Sequence, residues 1–77
     1  MPSDDWPVAG RVRLGTVSAF DEARGLGTVA DDAGLTFCFH CIAIADGTRT
    51  IEVGQSVFFV LRAGRGGRLE AAQLEKR

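Results

Sequence analysis

Arg24-Gly25-Leu26-Gly27-Thr28-Val29 and Phe37-Cys38-Phe39-His40-Cys41 decide how this chain is read. Each segment is short and β-compatible. Asp21-Glu22-Ala23-Arg24-Gly25 is a turn-like break before Leu26, and Asp31-Asp32-Ala33-Gly34 separates the two segments. Strand, turn and strand in such close succession predict consecutive short strands rather than helix. In the second segment a period of two sets the faces: Phe37 and Phe39 share one side and are read as core, while Cys38 and His40 share the other.

Upstream of these segments, apolar and polar residues alternate from Val8. Arg11 and Arg13 have one parity, Val12 and Leu14 the other, and the parity switches across Gly15 to Val17 and Ala19. A glycine at such a switch predicts a bulge in a bent strand. Downstream, Leu35 to Ala45 supplies a third strand and its exit, Asp46-Gly47 a turn, and Ile51-Glu52-Val53-Gly54 the approach to the run Val57 to Leu61. Gly64-Arg65-Gly66-Gly67 then connects to a last strand around Leu69 to Leu74. Within Val57 to Leu61, alternation buries Val57, Phe59 and Leu61 and turns Phe58 and Val60 outward. An outward apolar pair suggests contact with another protein, a second copy of the chain or the N-terminal arm. That arm, residues 1–9, is polar and acidic apart from Trp6; residues 10–77 form one domain. No window shows a capped helical period. Short strands joined by glycine and aspartate turns predict an all-β barrel.

At 77 residues with 45% apolar content the chain can form one small core. Nine basic residues against ten acidic ones leave a net charge of −1. The molecule as a whole therefore does not attract phosphate, and affinity for nucleic acid has to be local. The basic residues are nearly all arginine, which can meet a phosphate through two hydrogen bonds and can stack on a base. Two cysteines close together do not make a disulfide framework, and no basic leader precedes a long apolar run, so a cytoplasmic protein is expected. With one histidine, no serine paired with a base, no phosphate-binding glycine loop entering a helix and no recognisable carboxylate pair, the chain does not read as an enzyme, and no cofactor is implied. Cys38, His40 and Cys41 are reasonable zinc ligands if all three reach one face. A fourth ligand is missing and the paired Cys-x-x-Cys spacing is absent, so no metal is expected and the cysteines read as small hydrophobes.

The two opening segments resemble the Lys-Gly-Phe-Gly-Phe-Ile and Val-Phe-Val-His-Phe motifs of the cold shock domain family, with the histidine kept at His40. Gly15-Thr16-Val17-Ser18-Ala19-Phe20-Asp21 is similar to the family's opening Gly-Lys-Val-Lys-Trp-Phe-Asn. Ala43-Ile44, Glu52-Val53-Gly54-Gln55 and Glu70-Ala71-Ala72-Gln73-Leu74 follow in register, so the resemblance runs from Gly15 to Leu74. It implies a five-stranded antiparallel OB-fold barrel whose sheet binds single-stranded RNA or DNA by stacking bases on exposed rings. Here Ala19 stands where the family has tryptophan, and Leu26, Thr28, Cys38, Cys41 and Thr48 stand where it has phenylalanine. Each stack is worth about 1–3 kcal/mol, so the missing rings imply reduced affinity and more reliance on arginine. The expected site is Phe20, Arg24, Leu26, Thr28, Cys38 and His40, with Arg49, Arg65 and Arg68 at its rim. The alternative is a degenerate barrel kept for protein contact or self-association through Phe58 and Val60.

Overall fold

Strands form where short runs of alternating apolar residues lie between the glycine and aspartate turns, and the computed structural model describes them over residues 12–77. The arm at 1–9, with Trp6, and Arg11 lie outside the described residues. In chain order the strands are β1 (Val12–Asp21), β2 (Leu26–Asp31), β3 (Thr36–His40), β4 (Ser56–Ala63) and β5 (Leu69–Lys76). They close into a barrel in the order β1-β2-β3-β5-β4. Every junction is antiparallel except the short β3–β5 contact, where Cys38 meets Glu70 in parallel. An all-β, five-stranded barrel is thus what the turn spacing specifies.

Alternation in β4 places Val57, Phe59 and Leu61 in the core at 0%, 1% and 0% exposure, packed with Val17, Val29, Phe39 and Leu74. Burying each such side chain is worth about 1.5–3 kcal/mol, so this cluster carries much of the fold's stability. Phe37 is half-buried and packs tilted on Phe59, ring centroids 6.1 Å apart. Phe58 and Val60 face outward as read. Cross-strand from them stand Leu14 and Val12, which are exposed, so the outer surface of β1 and β4 carries a small apolar patch.

The reading of β1 needs correction. Parity does not switch at Gly15: Val12 and Leu14 point out, whereas Gly15 and Val17 are buried and Arg13 is half-buried with them. Arg13 misled because it ends in a specific pairing. Its Nη1 donates to Oδ2 of the buried Asp31 at 3.2 Å, while Asp31 Oδ1 accepts from the backbone N–H groups of Ala33 and Leu35 at 3.0 and 2.9 Å. Gly15 serves close approach instead, since a Cβ there would lie 2.6 Å from the Ala30 carbonyl oxygen and 2.8 Å from Phe59 Cε1. The bulge falls between Val17 and Ala19, at Ser18. A second irregularity in the β4–β5 register accompanies Gln73, which sits at φ 53° in the left-handed region. Bulges of this kind bend a strand, here letting β5 close against both β4 and β3.

Among the described residues no helix is long and apolar enough to cross a membrane. The helical elements there are two single 3-10 turns, Cys41–Ala43 after β3 and Arg65–Gly67 in the β4–β5 hairpin.

Candidate nucleic-acid interface

Antiparallel pairing of β2 with β3 assembles the site. Leu26 stands opposite His40 and Thr28 opposite Cys38, while the intervening Gly27 stands opposite the buried Phe39. Directly opposed side chains in such a pair lie about 4.5–5.5 Å apart at Cβ, so the four outward residues form one continuous surface. Leu26, Cys38 and His40 are exposed and Thr28 is half-buried. Gly27 is required here because a Cβ would meet the Phe39 ring at 2.6 Å and the Ala19 carbonyl oxygen at 2.7 Å.

Phe20 is less available than its sequence position suggests. It is half-buried and lies nearly parallel to Phe39, at 5.9 Å between centroids and 5° between planes, so one face of its ring is committed to the core. Its remaining edge borders a largely apolar hollow of about 350 Å³ walled by Ala19, Asp21, Leu26, Gly27, Thr28 and Cys38. The hollow lies where the resemblance places large rings. The β1 bulge brings Ser18 Oγ to 2.7 Å from Thr28 Oγ1, and Ser18 Oγ also reaches the Thr28 carbonyl at 3.3 Å. Sequence reasoning missed Ser18 because the bulge was assigned three residues too early.

His40 ends β3 and caps the 3-10 turn: its Nδ1 accepts from the Ile42 backbone N–H at 3.4 Å. With Nδ1 turned to that N–H, Nε2 is left facing outward toward a phosphate or a base. Beyond His40 a larger cleft of about 550 Å³ opens between the 3-10 turn and β5, with Arg62, Glu70 and Gln73 in its wall. Cys41 lies beside His40, its Sγ 3.8 Å from His40 Nδ1. Its side chain is half-buried under the Gly25 turn, where a Cβ on Gly25 would lie 2.8 Å from Cys41 Sγ, and it packs against the core. Among the described residues no group of three His, Cys, Asp or Glu side chains is arranged to hold a metal ion. Both cysteines are free.

The arginines fall at two ends of β3. Arg24 lies in the turn that leads into Leu26, at the His40 end. Arg49 lies in a loop tied to that end by a hydrogen bond from Thr50 Oγ1 to Glu22 Oε2 at 3.1 Å. The same loop is fixed from within. Asp46 accepts from the Thr48 backbone N–H at 3.0 Å and from its hydroxyl at 2.8 Å, and pairs with Lys76 Nζ at 3.1 Å. These bonds, that from the Thr48 backbone foremost, hold the Asp46 carboxyl at about 2, below its ordinary 3.8. Thr48 is thereby spent on its own loop. Arg65 and Arg68 belong to the hairpin just before Leu69, and the Cys38–Glu70 pairing puts that hairpin at the Thr36 end. Arg24, Arg49 and Arg68 are exposed. Arginines thus stand beyond both ends of the strip, alongside Asp21 and Glu22 in the Arg24 turn and Glu70 next to Cys38.

No family model matches the chain. A curated relative, Cold shock-like protein CspA of Stigmatella aurantiaca (strain DW4/3-1), is 40% identical over 55 residues, covering 69% of this chain and 81% of the relative. That similarity accompanies a closed five-stranded barrel in which the two motif segments pair antiparallel. On sequence and on fold alike, the chain belongs to the cold shock family.

Proposed function

We propose that this protein binds single-stranded RNA or DNA across the outer face of β2 and β3, with lower affinity than ring-bearing relatives and greater dependence on arginine. The observation that carries this reading is the cross-strand set Leu26–His40 and Thr28–Cys38, one uncharged surface with arginines beyond both ends. His40 stacks or donates from Nε2, Leu26, Thr28 and Cys38 contact bases beside the edge of Phe20, and Arg24, Arg49, Arg65 and Arg68 meet phosphates. Stacking is tolerant of base sequence and is largely lost here, so electrostatics makes up a larger share of the affinity and salt weakens binding steeply. The test is titration of labelled oligo-dT and oligo-U at low and moderate salt. Saturable binding that weakens with salt supports the reading, and no saturable signal at low salt refutes it.

One observation favours a second reading, a barrel used for protein contact or self-association. Val12 opposite Val60 and Leu14 opposite Phe58 extend the outward apolar pair of β4 into a patch on two strands. Sedimentation separates the two readings: a strictly monomeric protein that binds oligonucleotide argues against the second.

A further inference from the structure

The outer face of β1 and β4 carries an apolar patch that the nucleic-acid reading leaves unused. Val12 stands opposite Val60 and Leu14 opposite Phe58, so the patch is two adjacent cross-strand pairs. Val12, Leu14 and Phe58 are 65%, 44% and 39% exposed, and Val60 is half-buried. Size decides which occupant fits. A stable contact between two proteins takes about 20–30 residues on each side, which these side chains do not supply. One tryptophan buries about 150–250 Å², an area that two partly exposed pairs can take up.

The chain supplies such a residue beside the patch. Residues 1–11, outside the described residues, join β1 at Val12, itself a corner of the patch. They include Trp6, the single tryptophan of the chain, six positions before Val12. Six extended residues span about 20 Å, whereas Val12 to Leu14 covers about 7 Å of strand. The tether therefore reaches the whole patch even after a reversal, for which Gly10 offers the conformational freedom. A tether this short holds Trp6 at an effective concentration in the millimolar range, ahead of any partner that must arrive from solution. Independently of the nucleic-acid reading, we infer that residues 1–11 fold back onto the outer face of β1 and β4, with Trp6 covering Leu14 and Phe58, and thereby occupy the face that would otherwise attract a second protein.

Because Trp6 is the only tryptophan, the intrinsic fluorescence of the full chain reports on it alone. Emission and acrylamide quenching are read over a wide range of protein concentration, without oligonucleotide, and compared with the urea-unfolded chain. Wild type is expected to emit at shorter wavelength than the unfolded chain and to be shielded from acrylamide, equally at every concentration. Covering the exposed part of Leu14 is worth about fivefold in the ratio of docked to undocked segment, so Leu14→Ser is expected to lower that ratio about fivefold. Phe58→Ser is expected to do the same, and Val12→Ser, at the most exposed position, gives the readout if circular dichroism shows that Phe58→Ser has lost the barrel. Emission and quenching like those of the unfolded chain overturn the inference. So does shielding that vanishes on dilution, which assigns the patch to a second copy, and so does shielding unchanged in Leu14→Ser and Val12→Ser, which places Trp6 on another surface.

Discussion

The exchange of rings for small side chains is the main residue-scale departure of this chain, and it is reversible by mutation. Leu26, Thr28 and Cys38 are cross-strand neighbours with outward side chains, so phenylalanines there would stand on the surface rather than enter the core. Leu26→Phe, Thr28→Phe and Cys38→Phe combined are expected to tighten oligo-dT binding by at least about fivefold per ring, the lower end of the stacking range. Fluorescence anisotropy reads this, and unchanged affinity would mean that the face is not used. His40→Ala removes a ring and the Ile42 cap together. Its expected effect is a loss of about 1–3 kcal/mol in oligonucleotide affinity with less than about 1 kcal/mol in stability, since the cap bond is long and exposed. Parity alone gave the shared face of Cys38 and His40. It could not give Cys41, whose direction is set by the 3-10 turn that breaks the period, nor the commitment of Phe20 to Phe39, which depends on a contact made through the missing side chain of Gly27.

At the scale of elements, β2, β3 and β4 were legible because each is a short β-compatible segment bounded by glycine and aspartate turns, too short for a helical period to compete. β1 was not, because an arginine on the inner side imitates an outward residue until its buried partner is known. That pairing makes a stability prediction. Asp31→Ala removes the Oδ1 that accepts from two backbone N–H groups and the partner of Arg13, and is expected to cost about 2 kcal/mol. Asp31→Asn keeps the Oδ1 acceptor and is expected to cost about half as much. Urea unfolding measures both, with a lower midpoint at unchanged slope. Gly27→Ala tests the same sheet from inside: its Cβ would overlap Phe39 and the Ala19 carbonyl, so a loss of about 1–3 kcal/mol is expected.

For the whole molecule, closure of the barrel couples the binding face to loops that are distant in sequence. The Asp46–Thr48–Lys76 network fastens the loop bearing Arg49 to the end of β5, and no motif in the chain announces it. Asp46 titrates lower folded than unfolded, so its contribution is fully present above about pH 3.8 and is lost as pH falls through about 2. Asp46→Asn is therefore expected to lower Tm by a constant amount near neutral pH, with the difference from wild type shrinking as pH falls from about 3.8 through about 2. A difference that grows as pH falls would contradict the assignment. The net charge of −1 makes the local arginines decisive for binding. Each phosphate-contacting arginine replaced by alanine is expected to reduce the salt slope of log K by about 0.7 on a single strand.

The most direct test of the central claim is a chemical-shift titration of the labelled protein with oligo-dT at low salt. The expected result is saturable perturbation concentrated at Leu26, Thr28, Cys38 and His40, spreading to Arg24, Arg49 and Arg68. Perturbations confined to the outer patch of Val12, Leu14, Phe58 and Val60, or no saturable change at all, would contradict it.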